Sequence, residues 1–250
     1  MRDQANQDLD ANINDIFAQH ERRYGAPRIT KELIAEGMNV GENRVARRMK
    51  ALGLRAKQAK KFKATTDSNH QYPVAENLLQ QDFSASKPNE KWLSDITYLW
   101  TGSGWLYLAV VLDVYSRKII GWSMSKRINQ ELVCNALLMA LWRRGFPKGV
   151  IVHSDRGSQY CSNRYQKLLK DHKLICSMSG KGNCYDNAAM ETFFHSMKVE
   201  CIHGEYFKTR EEMRKTVFEY IELYYNRVRR HSTIGYLAPS VYEERYLQAS

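Results

Sequence analysis

Apolar positions recur at helical spacing in the N-terminal part of the chain. Residues 7–22 place Leu9, Ile13, Ile16 and Phe17 on one side of a helix. "APRITKELIAEG" predicts a second helix, with Pro27 at its start and Gly37 just past its end. "ENRVARRMKALG" predicts a third, closed by Gly53. There Val45, Met49 and Leu52 form a core stripe, and Arg44, Arg47 and Arg48 point off it. Two helices joined by a short glycine-containing turn, with arginines on the exposed face of the second, are how a helix-turn-helix unit presents its recognition helix. Many small helical bundles share that pattern, and the arginines favour the DNA-binding reading.

From "KWLSDITYLW" the period becomes that of strands. The turn "TGSG" joins this run to "WLYLAVVLDV", and "SRKIIGWSM" follows closely, which predicts a three-stranded antiparallel meander. Helices and strands then alternate. "NQELVCNALLMALWRRG" reads as a helix, "GVIVHSD" as a strand, "SQYCSNRYQKLLKDH" as a helix and "KLICSMS" as a strand. "NCYDNAAMETFFHSMKVEC" is a long helix, "REEMRKTVFEYIELYYNRV" another, and "STIGYLAPS" a coil. Antiparallel strands followed by strands separated by helices predict a mixed sheet with helices on its faces, an α/β domain.

Composition sets the scale and the partners. The chain has 250 residues, of which 43% are hydrophobic, enough for one large domain and a smaller module. The net charge is +11, and residues 20–63 alone hold 13 Lys/Arg against 4 Asp/Glu. That local excess points to a polyanion, against the plainer reading of a solvated basic face. The basic stretch "KQAKKFKATTDSNHQYPV" reads as a linker that itself touches phosphates. No uncharged apolar stretch of about 18 residues occurs, so no membrane span is expected. The polar start lacks the apolar run of a secretory signal. Five cysteines without CxxC spacing fit a reduced cytoplasmic chain, with neither a disulfide framework nor a zinc site.

Three acids carry the chemistry. Asp95 sits in the first strand among Leu93, Ile96, Tyr98 and Leu99; Asp155 ends the fourth strand; Glu191 lies in the long helix. Carboxylates converging from three elements would repel one another and be partly desolvated, and divalent ions relieve that conflict. Hard oxygen ligands suit Mg²⁺ or Mn²⁺. There are 35 residues between Asp155 and Glu191, and Asp95 lies 60 positions before Asp155.

That spacing resembles the carboxylate pattern of DDE transposases and retroviral integrases. The motifs "KWLSDITYL", "LYLAVVLDVYSRKIIGW", "HSDRGSQY", "SGKGNCYDNAAMETFFHSMKVE" and "YYNRVRRHSTIGYLAPSVYEE" resemble, in order, those of the OrfB product of bacterial insertion-sequence transposases of the IS-three type. The segment "YGAPRITKELIAEGMNVGENRVARRMKALGL" resembles the helix-turn-helix that precedes the catalytic domain there. The resemblance covers roughly residues 10–245.

It implies a ribonuclease H-like core in which Asp95, Asp155 and Glu191 hold two divalent ions and perform in-line phosphoryl transfer. Water would first free a 3′-OH at an element end, and that 3′-OH would then join the strand to target DNA. The expected partners are DNA (terminal inverted repeats and target), an OrfA-type protein or fusion, and further copies of the chain on DNA. The expected location is the bacterial cytoplasm, at the nucleoid when DNA-bound. The expected organisation is a helix-turn-helix module over 1–57 and a basic linker and lead-in over 58–88. A catalytic core over 89–202 and a C-terminal helix and tail over 203–250 complete it.

Other residues carry alternatives. Asp113 reads as a turn cap rather than a metal ligand, and Asp186 as a helix-start acid. Lys198, two turns beyond Glu191, shares its face with Asn187 and is a candidate DNA-backbone contact or a solvated lysine. Arg156 either reaches a phosphate or anchors its loop. Asn226, Arg229 and His231 match the family's tail motif and either touch DNA or brace the catalytic helix. Arg28 joins Arg44, Arg47 and Arg48 as a candidate DNA contact. His153 and His195 read as structural. Two rival functions share the fold: a non-catalytic DNA-binding regulator, and a ribonuclease H-type nuclease with another substrate.

Overall fold

The computed structural model describes residues 2–58, 74–180 and 187–249. Most of the expected basic linker and the helix-start acid Asp186 lie outside the described residues. The chain divides into two compact units, residues 1–61 and 62–250.

The first unit holds three helices: α1 (Arg2–Gln19), α2 (Ala26–Ala35) and α3 (Glu42–Ala51). Leu9, Ile13, Ile16 and Phe17 are buried with Ile29, Leu33, Val45 and Met49, as the apolar spacing predicts. Helix α1 begins earlier than expected, because its first residues are polar all round and carry no periodic signal. Gly37 and Gly53 follow α2 and α3 at φ +90° and +69°, a conformation glycine adopts without the Cβ penalty.

The second unit is built on a five-stranded sheet of order β3-β2-β1-β4-β5. Strands β1 (Lys91–Thr101), β2 (Gly104–Asp113) and β3 (Ile119–Ser125) form the antiparallel meander. Strands β4 (Ile151–Ser154) and β5 (Ile175–Met178) add in parallel on the far side of β1. The two faces of β2 part its side chains: Leu106, Leu108, Val110 and Leu112 enter one core, Ala109 and Val111 the other.

Helices α4 (Gln130–Arg144) and α5 (Asn163–Asp171) cover the Ala109 face. Asn129 caps α4 through the Leu132 amide, and Gly145 ends it in the left-handed region. Helix α4 lies so close to β3 that a Cβ at Gly121 would stand 2.2 Å from the Ala136 carbonyl oxygen. Helix α5 starts later than the sequence predicts, because the side chain of Ser162 caps it at the Tyr165 amide.

Helices α6 (Ala188–Met197) and α7 (Arg210–Phe218) cover the opposite face. Both run on into π-helical turns, Lys198–Ile202 and Glu219–Tyr225, which a search for 3.6-residue periodicity does not reveal. Met213, Val217, Tyr220, Ile221 and Tyr225 share a core with Leu93, Leu99 and Met190. The segment expected as a C-terminal helix and tail, 203–250, thus contributes to the same core. The stretch read as coil ends in a further helix, α8 (Pro239–Ala249), which Pro239 opens. Asp113 caps its turn, with Oδ1 accepting from the Tyr115 amide and Oδ2 from the Asn89 amide, both at 2.9 Å.

Candidate active site

Strand register brings the first two acids together. The last pair of the parallel β1–β4 ladder is Ser94 with Ser154, so Asp95 and Asp155 are the next residues on adjoining strands. Asp95 stands opposite Val110, on the face that α6 covers. Strand β4 ends at this point and its chain turns into the Asp155 loop. The Gly157 amide donates to Asp155 Oδ1 at 2.9 Å. A Cβ at Gly157 would meet that same oxygen at 3.0 Å, a tight contact that presses on the carboxylate.

Helix α6 supplies the third acid. Met190, Phe193, Phe194 and Met197 bury one stripe against the sheet, which leaves Glu191 exposed at the helix start. The Asp95 carboxyl is held well above the ordinary carboxylate range. Burial is the largest cause, followed by the Asp155 charge; the Ile96 amide opposes them, and Glu191 adds a smaller push upward. Lys198 also reaches this field: burial lowers its ammonium pKa, and the Asp95 charge partly restores it. Asp95, Asp155, Glu191 and Lys198 therefore share one electrostatic neighbourhood.

The donor set fits a hard cation. Asp95 carries an ionisation penalty from burial and from a like charge, and a divalent ion would remove both. That fit rests on the Asp95–Asp155 pair: among the described residues no group of three or more His, Cys, Asp or Glu side chains stands close enough to hold a metal ion. His153, buried on β4 beside this site, has both ring nitrogens at hydroxyls, Ser177 at 2.8 Å and Ser179 at 3.1 Å. It ties β4 to β5.

The remaining site candidates separate. Arg156 turns back and donates from Nε to the Ser179 carbonyl at 2.6 Å, anchoring its loop. Asn226 is buried; its Oδ1 accepts from the Ile119 amide and its Nδ2 donates to the Ile119 carbonyl, each at 2.9 Å. Arg229 is buried and paired with Glu200, with a further bond from Nη2 to Ser196 Oγ at 3.1 Å. Of the two alternatives for Asn226 and Arg229, these placements correct the DNA contact and agree with bracing, because both side chains are sealed in the interior against β3 and α6. His231 is half-buried and takes Thr233 Oγ1 at 2.9 Å from Nδ1.

In the helical unit, Arg48 pairs with Asp10, with Nε 2.7 Å from Oδ1. Arg44 donates to Asn6 Oδ1 at 3.0 Å. Arg28 stacks over the Tyr24 ring, 5.4 Å from its centroid. Arg47 is exposed, with Nε bonded to the Asn43 carbonyl at 3.3 Å. Sequence reasoning overlooked Gly157 and the Glu200 brace. A glycine two positions after a loop acid was a readable signal; a buried pair 29 residues apart was not.

The fold and its acids define the class, and likeness to known proteins agrees with it. Integrase core domain models match residues 85–184 and 191–247, and an HTH-like domain model matches residues 3–62. An intasome of simian T-cell lymphotropic virus, bound to PP2A regulatory subunit B56 gamma, contains a chain of the same fold. Its TM-score is 0.54 at 14% identity, over 92% of this chain and 74% of that one.

The transposase InsF for insertion sequence IS3A of Escherichia coli K12 is 56% identical over 246 residues, 98% of this chain and 85% of its own length. A 31 kDa protein of insertion element IS600 from Shigella sonnei is 45% identical over 99% of this chain and 91% of its own. The chain belongs to the IS3-type family of insertion-sequence transposases.

Proposed function

We propose that this transposase cuts and joins DNA at the ends of its insertion sequence with Asp95, Asp155 and Glu191 as the catalytic acids. The observation that carries this reading is the β1–β4 register, which sets Asp95 beside Asp155 under a helix whose exposed acid is Glu191. Two Mg²⁺ or Mn²⁺ ions, held by these carboxylates, would supply charge neutralisation and activation of the attacking oxygen at the scissile phosphodiester.

The chain's own residues do the positioning. The Gly157 amide fixes Asp155, and the buried stripe of α6 fixes the height of Glu191. Lys198 would face the phosphate backbone; burial lowers its ammonium pKa and the Asp95 charge opposes that. In the helical unit Arg28, Arg44, Arg47 and Arg48 supply cations for phosphate contacts, with Arg44 and Arg47 exposed. His231 remains a DNA contact in this reading because it is not sealed in. The working form is a homo-oligomer on terminal repeats and target DNA in the bacterial cytoplasm, joined by an OrfA-type partner.

Glu191→Gln tests the assignment. It removes Mg²⁺-dependent cleavage and strand joining on DNA bearing the element's ends and leaves DNA binding intact. Cleavage at the wild-type rate by that variant overturns it.

A further inference from the structure

The β1–β2 hairpin extends past the end of β4 and displays aromatic rings. Trp100 and Trp105 are directly opposed on the two strands, as are Tyr98 and Tyr107, so all four share one face. Trp100 is 59% exposed and Trp105 46%, large apolar surfaces to leave in water. Their rings meet edge to face at 4.8 Å, and Trp105 meets Tyr98 in the same manner at 6.3 Å.

The platform is rigid. The Gly102 amide donates to the Phe207 carbonyl at 2.8 Å, and Arg210 Nε donates to the Trp105 carbonyl at 2.9 Å. Ser103 Oγ donates to the Lys208 carbonyl at 3.2 Å, and a Cβ on Gly102 would strike that same carbonyl at 2.8 Å. The segment that braces the tip thus brings the Lys208 backbone and the Arg210 guanidinium to the hairpin turn, the guanidinium at the Trp105 carbonyl and beside Gly104. Of the acids in this segment, Glu205, Glu211 and Glu212, the last is engaged in the capping box with Thr209.

The platform lies round the open edge of β1 from the acids. Tyr98 is three residues beyond Asp95 on the same strand, roughly 10 Å along it, so their side chains leave opposite faces of the sheet, Asp95 on the α6 face and the rings on the Ala109 face. Among the described residues no strand pairs with that edge of β1 past Ser94, so the edge is open from the acids to the rings. The charges of Asp155 and Asp95, after burial, push the Tyr98 phenol upward, as their nearness requires.

We propose that Tyr98, Trp100 and Trp105 form a stacking platform for unpaired bases of the DNA strand that passes through the catalytic site. Rigid aromatic faces beside cations are the chemistry that holds single-stranded nucleic acid without reading its sequence. The proposal rests on the transposase reading, and it assigns the handling of unpaired bases to this hairpin.

The test uses the full chain with a 12-nucleotide oligo-dT strand and, separately, a blunt random-sequence duplex. Oligo-dT quenches the indole fluorescence of the wild type. Trp100→Ala and Trp105→Ala each weaken oligo-dT binding about tenfold, Trp100→Phe restores most of it, and blunt-duplex affinity is unchanged. Unchanged oligo-dT affinity in both alanine variants overturns the proposal, as does an equal loss with Trp100→Phe. A fall from dimer to monomer in the alanine variants, measured by sedimentation, also overturns it, in favour of an interface between copies. Oligo-dT binding is measured without cleavage, so failure of the catalytic assignment is read separately, in the Glu191→Gln cleavage assay.

Discussion

Arg229 grips Glu200 with two guanidinium nitrogens at 2.6 to 3.0 Å, both side chains buried. Tyr220 donates its hydroxyl to the same carboxylate at 2.8 Å. The three groups bind the π-helical end of α6 to the π-helical end of α7 and the turn after it. Removing one partner of such a pair strands a buried charge, which costs about 3–5 kcal/mol. Arg229→Ala is therefore expected to lower the melting temperature by about 10 °C, and Arg229→Lys to recover only part of it, since an ammonium lacks the planar fork. Thermal denaturation followed by circular dichroism reads this directly. A melting temperature within a degree of the wild type would show that the pair does not hold the two helices.

Gly157 gives a prediction about chemistry with little change in stability. A methyl group there would press on Asp155 Oδ1 at 3.0 Å and Gln159 Oε1 at 2.9 Å. Gln159 can swing away, while the Asp155 carboxylate must give by a few tenths of an ångström; since displacing a reacting group by about 1 Å costs roughly a hundredfold in rate, even that shift slows the reaction. Gly157→Ala is expected to cut DNA more slowly while keeping its affinity for DNA and its melting temperature. Wild-type cleavage by this variant would mean that the Gly157 turn does not set the position of Asp155.

The raised Asp95 carboxyl makes a statement about pH. Burial and the Asp155 charge make the folded state bind the Asp95 proton more tightly than the unfolded state does. Its contribution to stability is therefore full below the unfolded value, about 4, and is lost as pH rises through the raised folded value. In chelator-treated protein at neutral pH, Asp95→Asn should raise the melting temperature, and the gain should shrink on acidification. Mg²⁺ should then stabilise the wild type and leave Asp95→Asn unmoved. Destabilisation by Asp95→Asn at neutral pH would contradict this account of the site.

The sheet and the acids were legible because each rests on a local signal. Alternation in "KWLSDITYLW" and "WLYLAVVLDV" and the "TGSG" turn describe the hairpin, and Asp95 and Asp155 stand out as charges in apolar strands. The π-helical turns were not legible, since they break the periodicity by which helices are read. The roles of Asn226 and Arg229 were hidden for another reason. Both bond to groups 29 or more residues away, so a polar tail motif looked like a surface when its side chains were interior. Helix α8 was missed because Gly235 and Pro239 read as punctuation, although Pro239 opens the helix.

The arginines of α3 differ in their surroundings, and that difference predicts how binding responds to salt. Arg48 is held by Asp10, whose carboxyl its hydrogen bond keeps below the usual range. Arg47 is exposed and bonds a backbone carbonyl. Removing one cation from the phosphate backbone lowers the slope of log affinity against log salt by about 1. Arg47→Ala should therefore flatten that slope by about one unit and weaken binding to any duplex. Arg48→Ala should flatten it less, because Asp10 already offsets the Arg48 charge. Asp10→Asn follows from the same pairing: it releases the guanidinium, steepens the slope and tightens binding at low salt. Fluorescence anisotropy on one random duplex across a salt series measures all three variants. If Asp10→Asn binds no more tightly than the wild type at low salt, Arg48 does not face the DNA.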